Sequence, residues 1–248
     1  MTQKLEYRLN YHPDFTGINQ SDRKVKQRLD IILNSIDFKD KVVLDLGCSG
    51  GYFSFSLSKY AKKIIAVDAD EEIIKKNKRI QSELGINNIE FICENIDSKL
   101  IENILDPIDV VLFLSVFHHI LSNSEAYDWN LNKTSFDGFG LIEKINSKTQ
   151  NLFFEMGLPN EGYEWCGRLP FMGKNRNEWE EWIFKNIFRD QYSKIIKIDD
   201  AKGHQGFLPV LINKMSKNYV SENVLINKIK TFVHHDARDY RGIYLGMK

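Results

Sequence analysis

The stretch VVLDLGCSGGYFSF, residues 42–55, constrains this chain more than any other. A β-branched and leucine run closes on Gly47, and Gly50 and Gly51 follow before a segment of helical character begins. A buried strand that turns through glycines into a helix offers backbone N–H groups to a ligand at the helix N-terminus, because no side chains stand in the way. The next strand, KIIAVD (63–68), ends in Asp68. That acid follows Gly47 by about 20 residues, the distance at which a carboxylate can accept hydrogen bonds from two ribose hydroxyls. A dinucleotide fold calls for G-x-G-x-x-G, whereas here the spacing is G-x-x-G-G behind Asp45. An acid at that point suits a cationic amino-acid tail beside the loop and would repel a pyrophosphate.

The rest of the chain supplies the matching alternation. A helix is predicted over 21–36, with Ser21 as N-cap and Val25, Leu29, Ile32 and Ile36 as its buried stripe. Strands are predicted at 41–47, 63–68, 89–93, 108–116, 151–156, 192–198 and 242–247. Helices are predicted at 52–60, 71–84, 136–145, 175–188 and 221–235, with Asn177 and Glu180 spaced as a capping box. Strands alternating with helices in this way imply an α/β fold: a doubly wound, mainly parallel, seven-stranded sheet with an antiparallel closing strand. No repeat or Pro/Ser-rich linker divides the chain, so residues 1–248 read as one domain. Within it, 1–39 form an N-terminal helical cap, 40–157 a ligand-binding core and 158–248 acceptor-side insertions and the last strands.

Charge narrows the partners. Lysine plus arginine and aspartate plus glutamate number 34 each, so no global field argues for nucleic acid, although Lys202 to Arg241 leans basic. No apolar run reaches the roughly 18 residues of a membrane helix and no secretory leader opens the chain, which suits a cytoplasmic protein. Cys48, Cys93 and Cys166 stand singly, so neither a disulfide framework nor a metal site is expected.

Asp45 to Gly51 resembles the first motif of the class I S-adenosylmethionine (SAM)-dependent methyltransferases: an acid, a spacer and a glycine-rich turn, with Ser49 where many members carry glycine. The resemblance covers about residues 40–157 and implies SAM as cofactor. It places Asp45, Gly47 and Gly51 at the methionine part, Asp68 at the ribose, and Asn95 and Ile96 at the adenine. Cys48, Tyr52, Phe53 and Ser115 fall along the same cofactor surface.

LSVFHHI (114–120) is similar to the corresponding stretch in bacterial O-antigen chain-terminating methyltransferases, which methylate a phosphate or sugar at the end of a growing polysaccharide. YHPDF (11–15) with RKVKQRLD (23–30), and EMGLPNEGYEW (155–165), extend that similarity. It implies cofactor contacts from Tyr11 and His12 and acceptor contacts from Glu161, Tyr163 and Trp165. Arg28 is unusual on its own account, because it shares the buried stripe of its helix. A buried guanidinium needs an anionic partner, and the SAM carboxylate is a candidate; an equal reading has its head reaching water past a covered stem.

Read as the end of the fourth strand, His118 and His119 alternate faces, so one meets the acceptor while the other packs. With Glu155 they are the candidate catalytic groups for a hydroxyl acceptor, which needs a base. A phosphate acceptor wants cations instead, and Arg168, Lys174 and Arg176 offer them. The relatives often carry a kinase domain that this chain is too short to hold, so a phosphate would come from a separate kinase, and a glycosyltransferase is a further expected partner. The expected function is O-methylation of a glycan or phosphoglycan. The alternatives are methylation of RNA, such as tRNA, or of a small molecule, and a catalytically silent SAM-fold partner subunit.

Overall fold

Val42–Leu46 is buried along its whole length, as a parallel strand covered on both faces must be. This strand, β1, lies in a sheet seen in a computed structural model that describes residues 25–123, 127–128, 133–134, 138–156, 176–198, 209–212 and 243–248. The other strands are β2 (Lys63–Asp68), β3 (Ile89–Cys93), β4 (Ile108–Leu114), β5 (Thr149–Glu155), β6 (Lys194–Ile198), β7 (Pro209–Ile212) and β8 (Ile243–Met247), in the order β3-β2-β1-β4-β5-β8-β6-β7. Strands β1 to β5 pair in parallel. Strand β8 runs antiparallel between β5 and β6, as the predicted closing strand requires. The sheet has eight strands rather than the expected seven, because β7 pairs antiparallel with β6 and extends the edge. The segment PVLI carries too short a run to signal itself.

The helices are α1 (Val25–Ser35), α2 (Tyr52–Leu57), α3 (Glu71–Glu83), α4 (Ser98–Asn103), α5 (Phe117–Asn123), α6 (Gly138–Lys148) and α7 (Arg176–Ile183). Helices α1, α2 and α3 cover one face of the sheet through Ile31, Ile32, Phe55, Leu57 and Ile74. Helices α4 to α7 cover the other through Leu100, Ile101, Phe117, Leu141, Ile142 and Ile183. Alternation along β1 serves both layers, with Leu44 facing one and Val43 the other. Strand order reverses between β1 and β4, so a crevice opens at their carboxyl ends. Phe113, Phe117 and Phe154 meet with ring centroids 5.6–6.2 Å apart, which fixes the ends of β4 and β5 beside that crevice.

Three local readings change. The six-residue helix α4 was not foreseen; Asp97 caps it, accepting from the Leu100 N–H at 2.8 Å. Helix α7 passes into a π-helix over Phe184–Phe188, and Asn146 Nδ2 donates to the Ile187 carbonyl at 2.7 Å. Asn177 does not stand at the N-cap but lies inside the helix, and Glu180 pairs with Lys197 on β6. A buried cation on the sheet competes for that carboxylate more strongly than a backbone N–H can. Ser21, the predicted helix over 221–235 and Cys166 lie outside the described residues.

Candidate active site

The glycine loop is pinned from three sides. The N–H groups of Gly47 and Cys48 donate to the Val67 carbonyl at 2.8 and 2.9 Å, and the Ser49 N–H donates to Asp68 Oδ2 at 2.9 Å. Asn77 Nδ2 donates to the Ser49 carbonyl at 2.8 Å. Gly47 and Gly51 have φ of 75° and 76°, in the left-handed region that disfavours side chains. A Cβ on Gly47 would stand 2.3 Å from Val116 Cγ2, and one on Gly51 2.6 Å from the Phe55 ring. These glycines therefore admit the protein's own side chains as closely as they would admit a ligand. Asn77 escaped the sequence reading, yet it carried a signal: a polar residue sharing the buried face of Ile73, Ile74 and Ile80 on α3.

Beneath the loop, Asp45 is buried and accepts a 2.6 Å hydrogen bond from Ser54 Oγ. Burial pushes its pKa up to about 6, with the Ser54 hydrogen bond opposing and the Asp68 charge adding to the rise. Burial also raises the Cys48 thiol, with Asp45 and Asp68 adding to it, so Cys48 stays protonated and is no nucleophile. Because the native state holds the Asp45 proton more tightly than the unfolded chain, its contribution is complete below the ordinary aspartate value of 3.8 and is lost as pH rises through about 6. The loss amounts to about 3 kcal/mol. The difference in unfolding free energy between wild type and Asp45→Asn, measured by urea denaturation, is expected to move against the wild type by about that much from about pH 4 to about pH 7. A pH-independent difference would show that Asp45 ionises freely.

A second cluster lies on the opposite side of the loop from Asp68. Glu155, at the end of β5, is buried, accepts from Ser115 Oγ at 2.8 Å and pairs with the Arg28 guanidinium from α1. Arg28 also lies over the Phe53 ring, 5.4 Å from its centroid. Ser115 is a non-glycine residue with φ of 58°, an uncommon conformation that turns the chain from β4 into α5. Two expectations thus meet in one contact: the anion facing Arg28 is the residue expected to act as a base. Of the two readings of Arg28, burial with an anionic partner is the one observed, its side chain being 17% exposed.

The histidine pair needs correction. Strand β4 ends at Leu114, and both histidines lie in the first turn of α5 rather than at the strand's end. Their rings touch, with centroids 4.1 Å apart at 43°, because neighbours on a helix turn through about 100° where neighbours on a strand oppose. His118 is 2% exposed while His119 reaches the surface. Helix rotation sorts them into a packed and an open imidazole.

Asn95 and Ile96 follow β3, the first exposed and the second half-buried against the core. Tyr52 is buried in α2 beside Gly51. Arg176 opens α7. Tyr11, His12, Glu161, Tyr163, Trp165, Arg168 and Lys174 lie outside the described residues. Among the described residues no group of His, Cys, Asp and Glu is arranged to hold a metal, and no helix is long and apolar enough to cross a membrane.

A methyltransferase domain family matches residues 37–189, which span β1 to the π-helix. The chain belongs to that family. Two O-antigen chain terminator bifunctional methyltransferase/kinases of Escherichia coli, both named WbdD, are 28% and 32% identical to it over 160 residues. That match covers 62% of this chain but 21% of each relative, so the chain spans about a fifth of their length. In fold it matches a WbdD structure with a TM-score of 0.59 at 21% identity, covering 100% of this chain and 47% of that one. It also matches the N-methyltransferase NodS of Bradyrhizobium japonicum bound to S-adenosylhomocysteine (SAH), with a TM-score of 0.56 at 12% identity, covering 99% and 97%.

SAM is the methyl donor that the sequence resemblance implies for a methyltransferase domain, and the residues present fit it. Asp45, Asp68 and Glu155 bring three carboxylates to one guanidinium around the loop, a surplus that suits a ligand carrying a sulfonium and an ammonium. The Nε–H of Arg28 is sealed from solvent, and among the described residues no acceptor meets it. An orphaned guanidinium donor is costly and calls for an anion such as the SAM carboxylate.

Proposed function

We propose that this protein is a SAM-dependent O-methyltransferase whose acceptor is a glycan or phosphoglycan of a surface polysaccharide. The observation that carries this reading is the 160-residue likeness to the methyltransferase/kinases that terminate O-antigen chains. Residues 1–39 serve as a cap, 40–157 as the cofactor core and 158–248 as the acceptor side. Asp68 takes the ribose hydroxyls, since each of its oxygens accepts one backbone N–H and keeps a lone pair for a further donor. Asn95 and Ile96 flank the adenine, and the loop from Asp45 to Phe53 holds the methionine part.

When bound, SAM supplies a methyl group already activated on a sulfonium. The protein's share is to hold the acceptor in line and keep water out. His119, open to solvent one turn beyond Ser115, is the group to take a proton from a sugar hydroxyl or, when protonated, to donate to a phosphate. His118 packs against it and fixes the ring. Glu155 has a partner on each carboxylate oxygen and serves better as an anchor than as a base. Glu161, Tyr163, Trp165, Arg168, Lys174 and Arg176 belong to the acceptor side of the same reading.

Transfer of labelled methyl from SAM into a bacterial extract tests this. Label is expected in polysaccharide, and its stability to cleavage of phosphate esters then separates a methyl phosphate from a sugar ether. Label released by ribonuclease would overturn the reading in favour of RNA, and label in neither fraction would leave it without an acceptor.

A further inference from the structure

Ser49 is the strained residue of the loop. Its φ of 48° lies in the left-handed region, which a side chain disfavours. Gly47 and Gly51, on either side of it, meet the same demand without a side chain. Left to itself, a serine there would turn back to an ordinary conformation and rotate the two peptide units that it joins.

Both of those peptide units are held by side chains from other elements. On one side the Ser49 N–H donates to Asp68 Oδ2 of β2 at 2.9 Å, and on the other the Ser49 carbonyl accepts from Asn77 Nδ2 of α3 at 2.8 Å. The Cys48 thiol also donates to that carbonyl, weakly and at 3.8 Å. Asn77 is 2% exposed and shares the buried face of Ile73, Ile74 and Ile80. A carbonyl only accepts, which fixes the amide with its NH₂ group toward the loop. Its Cγ would also lie 3.5 Å from a Cβ on Gly51, so one buried amide backs both the strained residue and the glycine that precedes α2. Packing alone does not explain an amide at this position. Leucine has nearly the same shape and would fill the apolar face of α3 without taking a polar group out of water.

We infer that Asn77 is a positioning residue for the cofactor: its hydrogen bond holds Ser49 left-handed and thereby keeps the glycine loop in the conformation that binds SAM. Asn77 acts through the loop rather than by touching the ligand. A loop that adopts that conformation for only a fraction of the time binds more weakly by that fraction. The inference rests on the SAM reading and is independent of the acceptor.

Calorimetric titration with SAH across a double-variant cycle tests it. Asn77→Leu keeps the packing volume and removes the donor, and is expected to weaken SAH about tenfold, the worth of one buried hydrogen bond. In a Ser49→Gly background the same change is expected to cost about twofold or less, because glycine adopts the left-handed conformation unaided. Asn77→Ala, which leaves a small cavity instead, is expected to show the same dependence on residue 49, so the cycle can be read in either variant. Thermal unfolding of each variant without SAH reports the fold. An equal loss in both backgrounds would mean that Asn77 acts by packing or touches the ligand directly, and would overturn the inference, as would unchanged SAH binding by Asn77→Leu. Failure of the wild type to bind SAH would instead overturn the SAM reading, and this inference with it.

Discussion

Gly47→Ala is expected to abolish measurable SAH binding and to lower stability by about 2–4 kcal/mol, the sum of a left-handed backbone penalty and overpacking. The added methyl would stand 2.3 Å from Val116 Cγ2 on a residue with φ of 75°. Val116 connects Ser115 to the buried Phe117, so it has little room to retreat. Relief has to come from the loop, whose N–H groups would then leave the Val67 carbonyl. Thermal unfolding and calorimetry read both effects. Gly47→Ala combined with Val116→Ala is expected to recover part of the stability, because it removes the clash but not the strained φ; no recovery would mean that strain alone carries the cost.

Asp68→Asn is expected to weaken SAH and methylthioadenosine together, each by about 100-fold, the worth of charge-assisted hydrogen bonds to a ribose diol. The carboxylate accepts from the Ser49 and Asp70 N–H groups at 2.9 and 3.0 Å. An amide can accept from only one side, so the variant also turns an NH₂ group toward one of those donors. Loss of both ligands by the same factor is what a ribose contact requires, because both ligands carry the ribose. Retention of methylthioadenosine binding in Asp68→Asn would remove Asp68 from the ribose site.

Much of the fold was legible before any coordinates. The runs VVLDL, KIIAVD and IEFIC became β1, β2 and β3 with little change in their limits, because short buried strands between glycine and polar turns leave few alternatives. Strand β4 was overextended by two residues. Ser115 and Val116 are as acceptable in a strand as in a turn, and only the positive φ at Ser115 shows where the chain leaves the sheet. The same slip placed the histidines on a strand and hid the ring contact between them.

The spacing of Asp45, Gly47, Gly51 and Asp68 by itself pointed to a nucleoside-bearing ligand, since it depends on one strand–turn–helix unit and the strand beside it. Tertiary structure alone decided what faces Arg28, which histidine is open, and that Glu180 meets Lys197. Those choices join residues far apart in sequence, such as Arg28 and Glu155. Hydrophobic periodicity reports which face of an element is buried, whereas a partner for a buried charge is fixed only when separate elements pack together.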